Sequence, residues 1–230
     1  MRVASYNIHG GVGRDGRCDL DRVVQVIAEL DADLIGLQEV GSGTPRAIDA
    51  PQWDYLGERL AMAAIPGPTL QRAHGPFGNA LLSRHPAAAV RHIELNVPPF
   101  EPRAALVASV EIDGARWHAI VTHLGLRWRE RYAQTRRLAA ALAPLDRPTL
   151  LFADANAVFP WSPGLRPLRQ LFGRPGAAAT FPAARPLLKL DRIWSHPVAA
   201  RARVWAHSSA RAREASDHLP ICAEVAIKPV

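Results

Sequence analysis

Lysine is nearly missing from this 230-residue sequence. Of 28 basic residues only Lys189 and Lys228 are lysines, so arginine carries almost all of the formal net charge of +7. The arginines run the length of the chain beside abundant alanine and proline. That evenness reads as coding bias rather than as a device selected for a polyanion. Cysteine is equally scarce: Cys18 and Cys222 lie far apart, which excludes a disulfide framework. With no secretory signal in "MRVASYNIHGG", both read as free thiols of a cytoplasmic protein. No apolar run approaches the roughly 18 residues of a membrane span. Internal repeats, low-complexity tracts and linkers are also missing, so residues 1–230 read as one domain with no protein partner implied.

What is present is ordinary globular composition, 48% hydrophobic and 21% charged, sufficient for a large core. "RVASYNI" alternates as a strand. Asp19 then caps a helix in which Leu20, Val23, Val24, Ile27 and Leu30 recur at helical spacing, and "DLIGLQEV" follows as an apolar strand. Strand, helix, strand in that order predicts a βαβ unit with two parallel strands. "ALVASVEIDGARWHAIVTHL" reads as a hairpin around Asp113-Gly114, residues 130–142 as a helix, and "RPTLLFADAN" as a further strand. Proline- and glycine-rich stretches at 41–51, 64–78, 96–103 and 157–186 read as loops. The arginines of "LRWRERYAQTRR" (Arg127, Arg129, Arg131, Arg136 and Arg137) read as a solvated helix face.

Polar residues recur where the apolar strands stop. Asn7 ends the first strand and Glu39 the second, on one edge of a parallel pair, where ligands gather. His123 ends "AIVTHL", Asp154 and Asn156 end "TLLFADAN", and Asp217-His218 stands before the last strand. Each alone is unremarkable; their recurrence at five strand ends is a rarer arrangement.

The segments "YNIHGG", "LIGLQEV", "GNALLSRHP", "PRAAL", "VTHLGL", "ADAN", "TFPA", "LDRIW" and "SDHLPI" occur in order from residue 6 to 221. As an ordered set they resemble the endonuclease/exonuclease/phosphatase superfamily, which includes deoxyribonuclease-like and sphingomyelinase-like phosphohydrolases. The resemblance implies a four-layer α/β sandwich, two packed mixed β-sheets flanked by helices. It also implies hydrolysis of a phosphate ester with Mg²⁺, or Mn²⁺ in its place.

The same resemblance assigns roles. Glu39 corresponds to the metal carboxylate, with Asn7 beside it and Asp217 near the metal or a second ion; oxygen donors of this kind suit Mg²⁺. Asp154 and Asn156 correspond to the pair that positions the attacking water and a phosphate oxygen. His218 pairs with Asp191 of "KLDRIW", a carboxylate that holds the imidazole in one tautomer and stabilises its cation. His218 then serves either as base or as electrostatic stabiliser. His123 corresponds to a donor toward the phosphoryl oxygen or the leaving group. Arg103 and Asn79 correspond to positions that contact phosphate or brace the site. The sequence departs from the pattern in two places. Ala155 stands where an aromatic residue is usual, and no acidic partner of His123 is evident. The seven remaining histidines read as structural or surface groups.

The leading expectation is therefore a metal-dependent phosphodiesterase acting on nucleic acid or a phospholipid head group, with a phosphomonoesterase also open. The alternative class is a catalytically silent polyanion-binding module of the same fold. Substrate choice is expected in the loops.

Overall fold

The computed structural model describes residues 1–42, 51–73, 75–197 and 201–226, so most of the expected 41–51 loop lies outside the described residues. The first segment forms as its pattern requires. Strand β1 (Arg2–Asn7) leads through a loop over residues 8–19, which holds a 3₁₀ turn, into α1 (Leu20–Leu30), where Asp19 Oδ1 accepts the Arg22 N–H at 3.1 Å as the helix cap. Strand β2 (Leu34–Val40) then pairs parallel to β1, with Asn7 opposite Gln38.

The hairpin expected around Asp113-Gly114 is β6 (Ala104–Ile112) and β7 (Ala115–His123). Helix α3 (Trp128–Leu142) begins two residues before the expected start, because Glu130 Oε2 reaches back to the Arg127 N–H at 3.3 Å. It carries the chain to β8 (Thr149–Asp154), which runs parallel to β7 and sets His123 opposite Asp154. The chain thus contains a second strand–helix–strand crossover like the first.

One loop expectation is corrected. Most of residues 64–78 belongs to β3 (Ala63–Arg72) and the start of β4 (Gly75–Ser83), which pair antiparallel. Pro66 and Pro68 suggest a loop, but β3 is the outermost strand of its sheet. A missing N–H facing away from the neighbour there costs no ladder bond. Residues 157–186 are also not wholly irregular, since they contain a 3₁₀ turn (Pro163–Leu165) and α4 (Arg166–Phe172). The remaining elements are α2 (Gln52–Leu60), β5 (Ala87–Glu94), β9 (Asp191–His196), β10 (Arg201–Ala206), α5 (Ala210–Ala215) and β11 (Ile221–Val225).

The strands make a six-stranded sheet, β10-β11-β1-β2-β4-β3, and a five-stranded sheet, β5-β6-β7-β8-β9. Both are mixed, and they pack face to face through Val3, Leu34, Leu81, Leu106, Val121, Phe152 and Ile193. Outside the first sheet, α1, α2 and α5 bury Val23, Ile27, Trp53, Leu56 and Ala212; outside the second, α3 and α4 bury Leu138, Leu142, Leu168 and Phe172. Four layers result, helices on two central sheets. The packing of the two sheets requires glycine at position 36, where a Cβ atom would stand 2.4 Å from Phe152 Cβ. Both parallel pairs end at the same rim of the sandwich, and the polar strand ends meet there.

Candidate active site

Four strand ends build the floor. Asn7 closes β1, His123 closes β7, Asp154 closes β8, and Asp191 opens the antiparallel β9 directly opposite Asp154. Glu39 arrives differently. The β2–β4 register breaks between Leu37 and Val40, and Glu39 takes a left-handed φ of 56°. That irregularity turns its carboxylate out of the ladder toward the others. Strand β8 stops at Asp154, so Asn156 shares its face for a reason other than strand alternation. With φ of 47°, Asn156 folds back and donates its N–H to Asp154 Oδ1 at 3.1 Å.

A continuous hydrogen-bonded array follows. Asn7 Nδ2 donates to Glu39 Oε1 at 2.9 Å and to Asp154 Oδ2 at 3.0 Å, bridging the two sheets. Its Oδ1 accepts the His9 N–H at 3.0 Å, so Asn7 spends its side chain on bracing. Asp154 Oδ2 lies 3.4 Å from His123 Nε2 and 3.7 Å from His218 Nε2. His218 Nδ1 lies 2.9 Å from Asp191 Oδ2, which also accepts the Thr180 hydroxyl.

The "TFPA" and "SDHL" loops are laced together, Leu219 N–H to Thr180 O at 2.8 Å and Ala183 N–H to Asp217 O at 2.7 Å. The Phe181 ring packs on the His218 ring with centroids 4.9 Å apart. Ala155, which stands where the resemblance has an aromatic residue, is fully buried in the core beneath α3 and α4.

Burial and charge set the protonation states. Burial alone would lower the pKa of His218. The charge and hydrogen bond of Asp191, then the charges of Asp154 and Asp217, overcome that and hold the imidazole up at about 10. Burial raises Asp191 against the pull of His218. The proton of the pair rests on the imidazole, which faces Asp191, Asp154 and Asp217. Asp154 is lowered in spite of its burial, by His123, His218 and the N–H donors of Asn7 and Asn156. His123 is lowered, chiefly by burial. Asn156 Nδ2 donates to the Leu124 carbonyl at 2.9 Å and meets His123 Nε2 at 3.0 Å. A donor on that side makes His123 Nε2 the acceptor and leaves the proton on Nδ1, 3.9 Å from Glu39 Oε1. His123 therefore stands beside two carboxylates, Glu39 and Asp154, that the sequence did not reveal as its partners.

Glu39, Arg103, His123, Asp154, Asn156, Asp217 and His218 line one open cleft of 440 Å³, with Asn7 and Asp191 in the buried layer beneath. Arg103 Nη2 pairs with Glu101 Oε1 at 3.1 Å on the cleft wall. Asn79 does not line the cleft: it is 1% exposed and donates Nδ2 to the Ala104 carbonyl at 3.1 Å, joining β4 to β6 across the two sheets. A position on a central strand decides this, since the side chain points into the sandwich.

Sequence reasoning passed over Arg72, which also lines the cleft; its guanidinium lies 3.4 Å from the Phe77 ring centroid and 3.8 Å from Glu101. It also passed over His9, whose Nδ1 lies 4.0 Å from Asp217 Oδ1 beside a hollow shared with Glu39. The position of His9 directly after "YNI" was the available signal. Arg131, read with its neighbours as a solvated face although the resemblance sets it near the site, is buried and donates to the Gly125 and Leu126 carbonyls at 3.0 and 2.6 Å, fixing the loop after β7.

Two groups of side chains bear on metal binding. Donor atoms of Asp154, Asp191 and His218 lie within 4.8 Å of one another. There the imidazolium offsets only one of the two carboxylate charges, and its Nδ1 is already bonded to Asp191 at 2.9 Å, so His218 and one Asp191 oxygen are engaged with each other. Glu39 differs: Asn7 holds one oxygen, and the carboxylate faces the cleft that Asp217 also lines. Two carboxylates on an open, water-accessible cleft are a hard oxygen set of the kind that Mg²⁺ or Mn²⁺ takes while keeping waters. The residues fit such an ion.

Residues 4–218 match the model of the "Endonuclease/Exonuclease/phosphatase family". The chain belongs to that family. Endonuclease/exonuclease/phosphatase members hydrolyse phosphate esters, and the strand-end constellation occupies the rim described above. The chain is 30% identical to the uncharacterized protein YbhP of Escherichia coli (strain K12), over 98% of this chain and 96% of that protein. Among solved structures it resembles the endonuclease/exonuclease/phosphatase of Beutenbergia cavernae, with a TM-score of 0.76 and 22% identity over 100% of this chain and 72% of the other. It also resembles the Bacteroides thetaiotaomicron mannosyl-6-phosphatase Bt3783, with a TM-score of 0.68 and 16% identity over 99% and 100% of the two chains. At those identities the likeness is one of fold.

Proposed function

We propose that this chain, read as one catalytic domain, is a divalent-cation-dependent hydrolase of phosphodiesters. The supporting observation is the juxtaposition of an ionised Asp154 and a protonated His218 at the foot of an open cleft, with Arg103 on its wall. Glu39 and Asp217 would hold Mg²⁺ or Mn²⁺, with Asn7 orienting Glu39. When bound, the cation neutralises charge on the phosphate and polarises it toward attack.

The side chains supply the rest. Asp154, kept ionised by Asn7 and the Asn156 N–H, orients a water and takes its proton as the oxygen bonds to phosphorus. His218, kept cationic by Asp191, directs Nε2–H at the phosphoryl oxygens. As the ester P–O bond breaks, it can pass that proton to the departing oxygen. Asp154, 3.7 Å away, then returns a proton to Nε2 and restores the array. His218 thus acts as charge stabiliser and acid, and Asp154 as base. His123 fixes Asn156 and presents Nδ1–H beside Glu39. Arg103 suits a non-bridging phosphate oxygen. Two free thiols agree with a cytoplasmic setting, and no helix among the described residues is long and apolar enough to cross a membrane.

Turnover of bis-p-nitrophenyl phosphate and of p-nitrophenyl phosphate, each with Mg²⁺ and with EDTA, tests the reading. Faster diester turnover that EDTA abolishes is expected. Preference for the monoester would make the protein a phosphatase. No turnover of these or of DNA, RNA and phospholipid would favour the silent polyanion-binding module.

A further inference from the structure

Eight large hydrophobic side chains are exposed among the described residues, and all fall on four segments, at positions 100, 126–132, 158–161 and 187. Each segment adjoins the catalytic cleft. Position 100 precedes Glu101, Leu126 itself lines the cleft, Val158 follows Asn156 by two residues, and Leu187 precedes Leu190 by three. A soluble surface does not concentrate its apolar side chains around one mouth without use for them.

A hollow of 680 Å³ on this face is walled by Val158, Phe159, Trp161 and Leu187. Phe159 and Trp161 stack on each other with centroids 5.1 Å apart, and Trp161 is 70% exposed. The loop is firmly held: Arg192 donates to the Ala157 and Val158 carbonyls at 2.9 and 3.2 Å, and Arg169 to those of Pro160 and Ser162 at 2.8 Å. Arg169, Arg174 and Lys189 ring the hollow, and among the described residues no acidic side chain lines it. Trp128 stands on the neighbouring α3 terminus, with the Arg129 guanidinium 5.2 Å from its ring centroid. Lys189 on the hollow precedes Leu190 on the cleft, so the two share a lip.

We infer that this face docks on the surface of an anionic phospholipid bilayer and presents a lipid phosphate to the cleft, an assignment that rests on the phosphodiesterase reading above. Charge complementarity selects this occupant: an apolar centre rimmed by cations matches acyl chains beneath anionic head groups. Trp161 and Trp128 have the amphipathic character that settles at that boundary. Nucleic acid fits less well. Leu126, Val158 and Leu187 offer nothing for a base to stack on, and Phe159 and Trp161 already occupy one face of each other.

The test is co-sedimentation with phosphatidylglycerol/phosphatidylcholine vesicles and with phosphatidylcholine vesicles alone, for wild type and the F159A/W161A/L187A variant. Wild type is expected to partition onto the anionic vesicles and weakly onto neutral ones. The variant should bind the anionic vesicles at least about tenfold more weakly while hydrolysing bis-p-nitrophenyl phosphate like wild type. Wild type that stays in solution with both vesicles overturns the inference, as does a variant that binds them unchanged. A variant that keeps vesicle binding but loses affinity for a fluorescent oligothymidylate would reassign the hollow to nucleobases. Sedimentation needs no turnover, so an inactive wild type would sink the phosphodiesterase reading and leave the docking result standing.

Discussion

His218 and Asp191, 27 residues apart in sequence, meet through Nδ1 and Oδ2 at 2.9 Å beneath the cleft floor. The aspartate opens strand β9 and the histidine precedes β11, in different sheets, so the pair closes the two halves of the sandwich at the reactive rim.

The pair should behave as one unit. We expect H218A and D191N each to lower kcat for a phosphodiester by on the order of 10²- to 10⁴-fold. The double variant should be little worse than either, because a group whose partner is gone has little left to lose. Steady-state kinetics on the three variants decide it; losses that multiply would mean that the residues act separately.

The same pair makes stability depend on pH in a stated direction. The His218 pKa is raised on folding from 6.5 to about 10, so the folded state binds a proton that the unfolded chain releases. The stabilisation is complete below about pH 6.5 and disappears as pH rises through about 10. H218Q should therefore be less stable than wild type by on the order of a few kcal/mol at pH 6, with the gap narrowing steadily toward pH 10. Urea denaturation across that range measures it, and a gap that widened with pH would contradict a cationic His218.

Glu39 carries the metal proposal. E39Q preserves shape and the hydrogen bond from Asn7 while removing the charge that attracts a cation. Turnover should fall by roughly a hundredfold or more, and the rise in Tm that Mg²⁺ gives wild type should vanish. A variant that Mg²⁺ still stabilises would move the ion elsewhere.

Gly36 tests the packing between the sheets. In G36A the new methyl would stand 2.4 Å from Phe152 Cβ, both on strands that cannot part without disturbing the core. A loss of about 1–3 kcal/mol is expected, read as a lower urea midpoint. Unchanged stability would mean that the interface is looser than its geometry.

Local patterns determined much of this protein. Apolar periodicity and the Asp19 cap specify β1, α1 and β2, and the Asp113-Gly114 turn specifies the β6–β7 hairpin, because backbone hydrogen bonding and side-chain alternation act over a few residues. The ordered motifs placed the polar strand ends and the family. What local pattern could not decide depends on position in the assembled sheets. Prolines 66 and 68 suggest a loop until β3 is seen to be an edge strand. Asn79 reads as a residue that contacts phosphate or braces the site; its burial between the sheets and its bond to Ala104 keep it out of the cleft and leave only the bracing. Arg131 looks solvated on a helical wheel, yet it is buried because the loop after β7 offers it two carbonyls. His123 acquires Glu39 and Asp154 as neighbours only when a break in β2 and the parallel register of β8 bring them to one point. Residues distant in sequence share an electrostatic environment only after both sheets have closed. The charge on His218 therefore belongs to the tertiary structure, although the histidine and each of its carboxylates can be read in the chain.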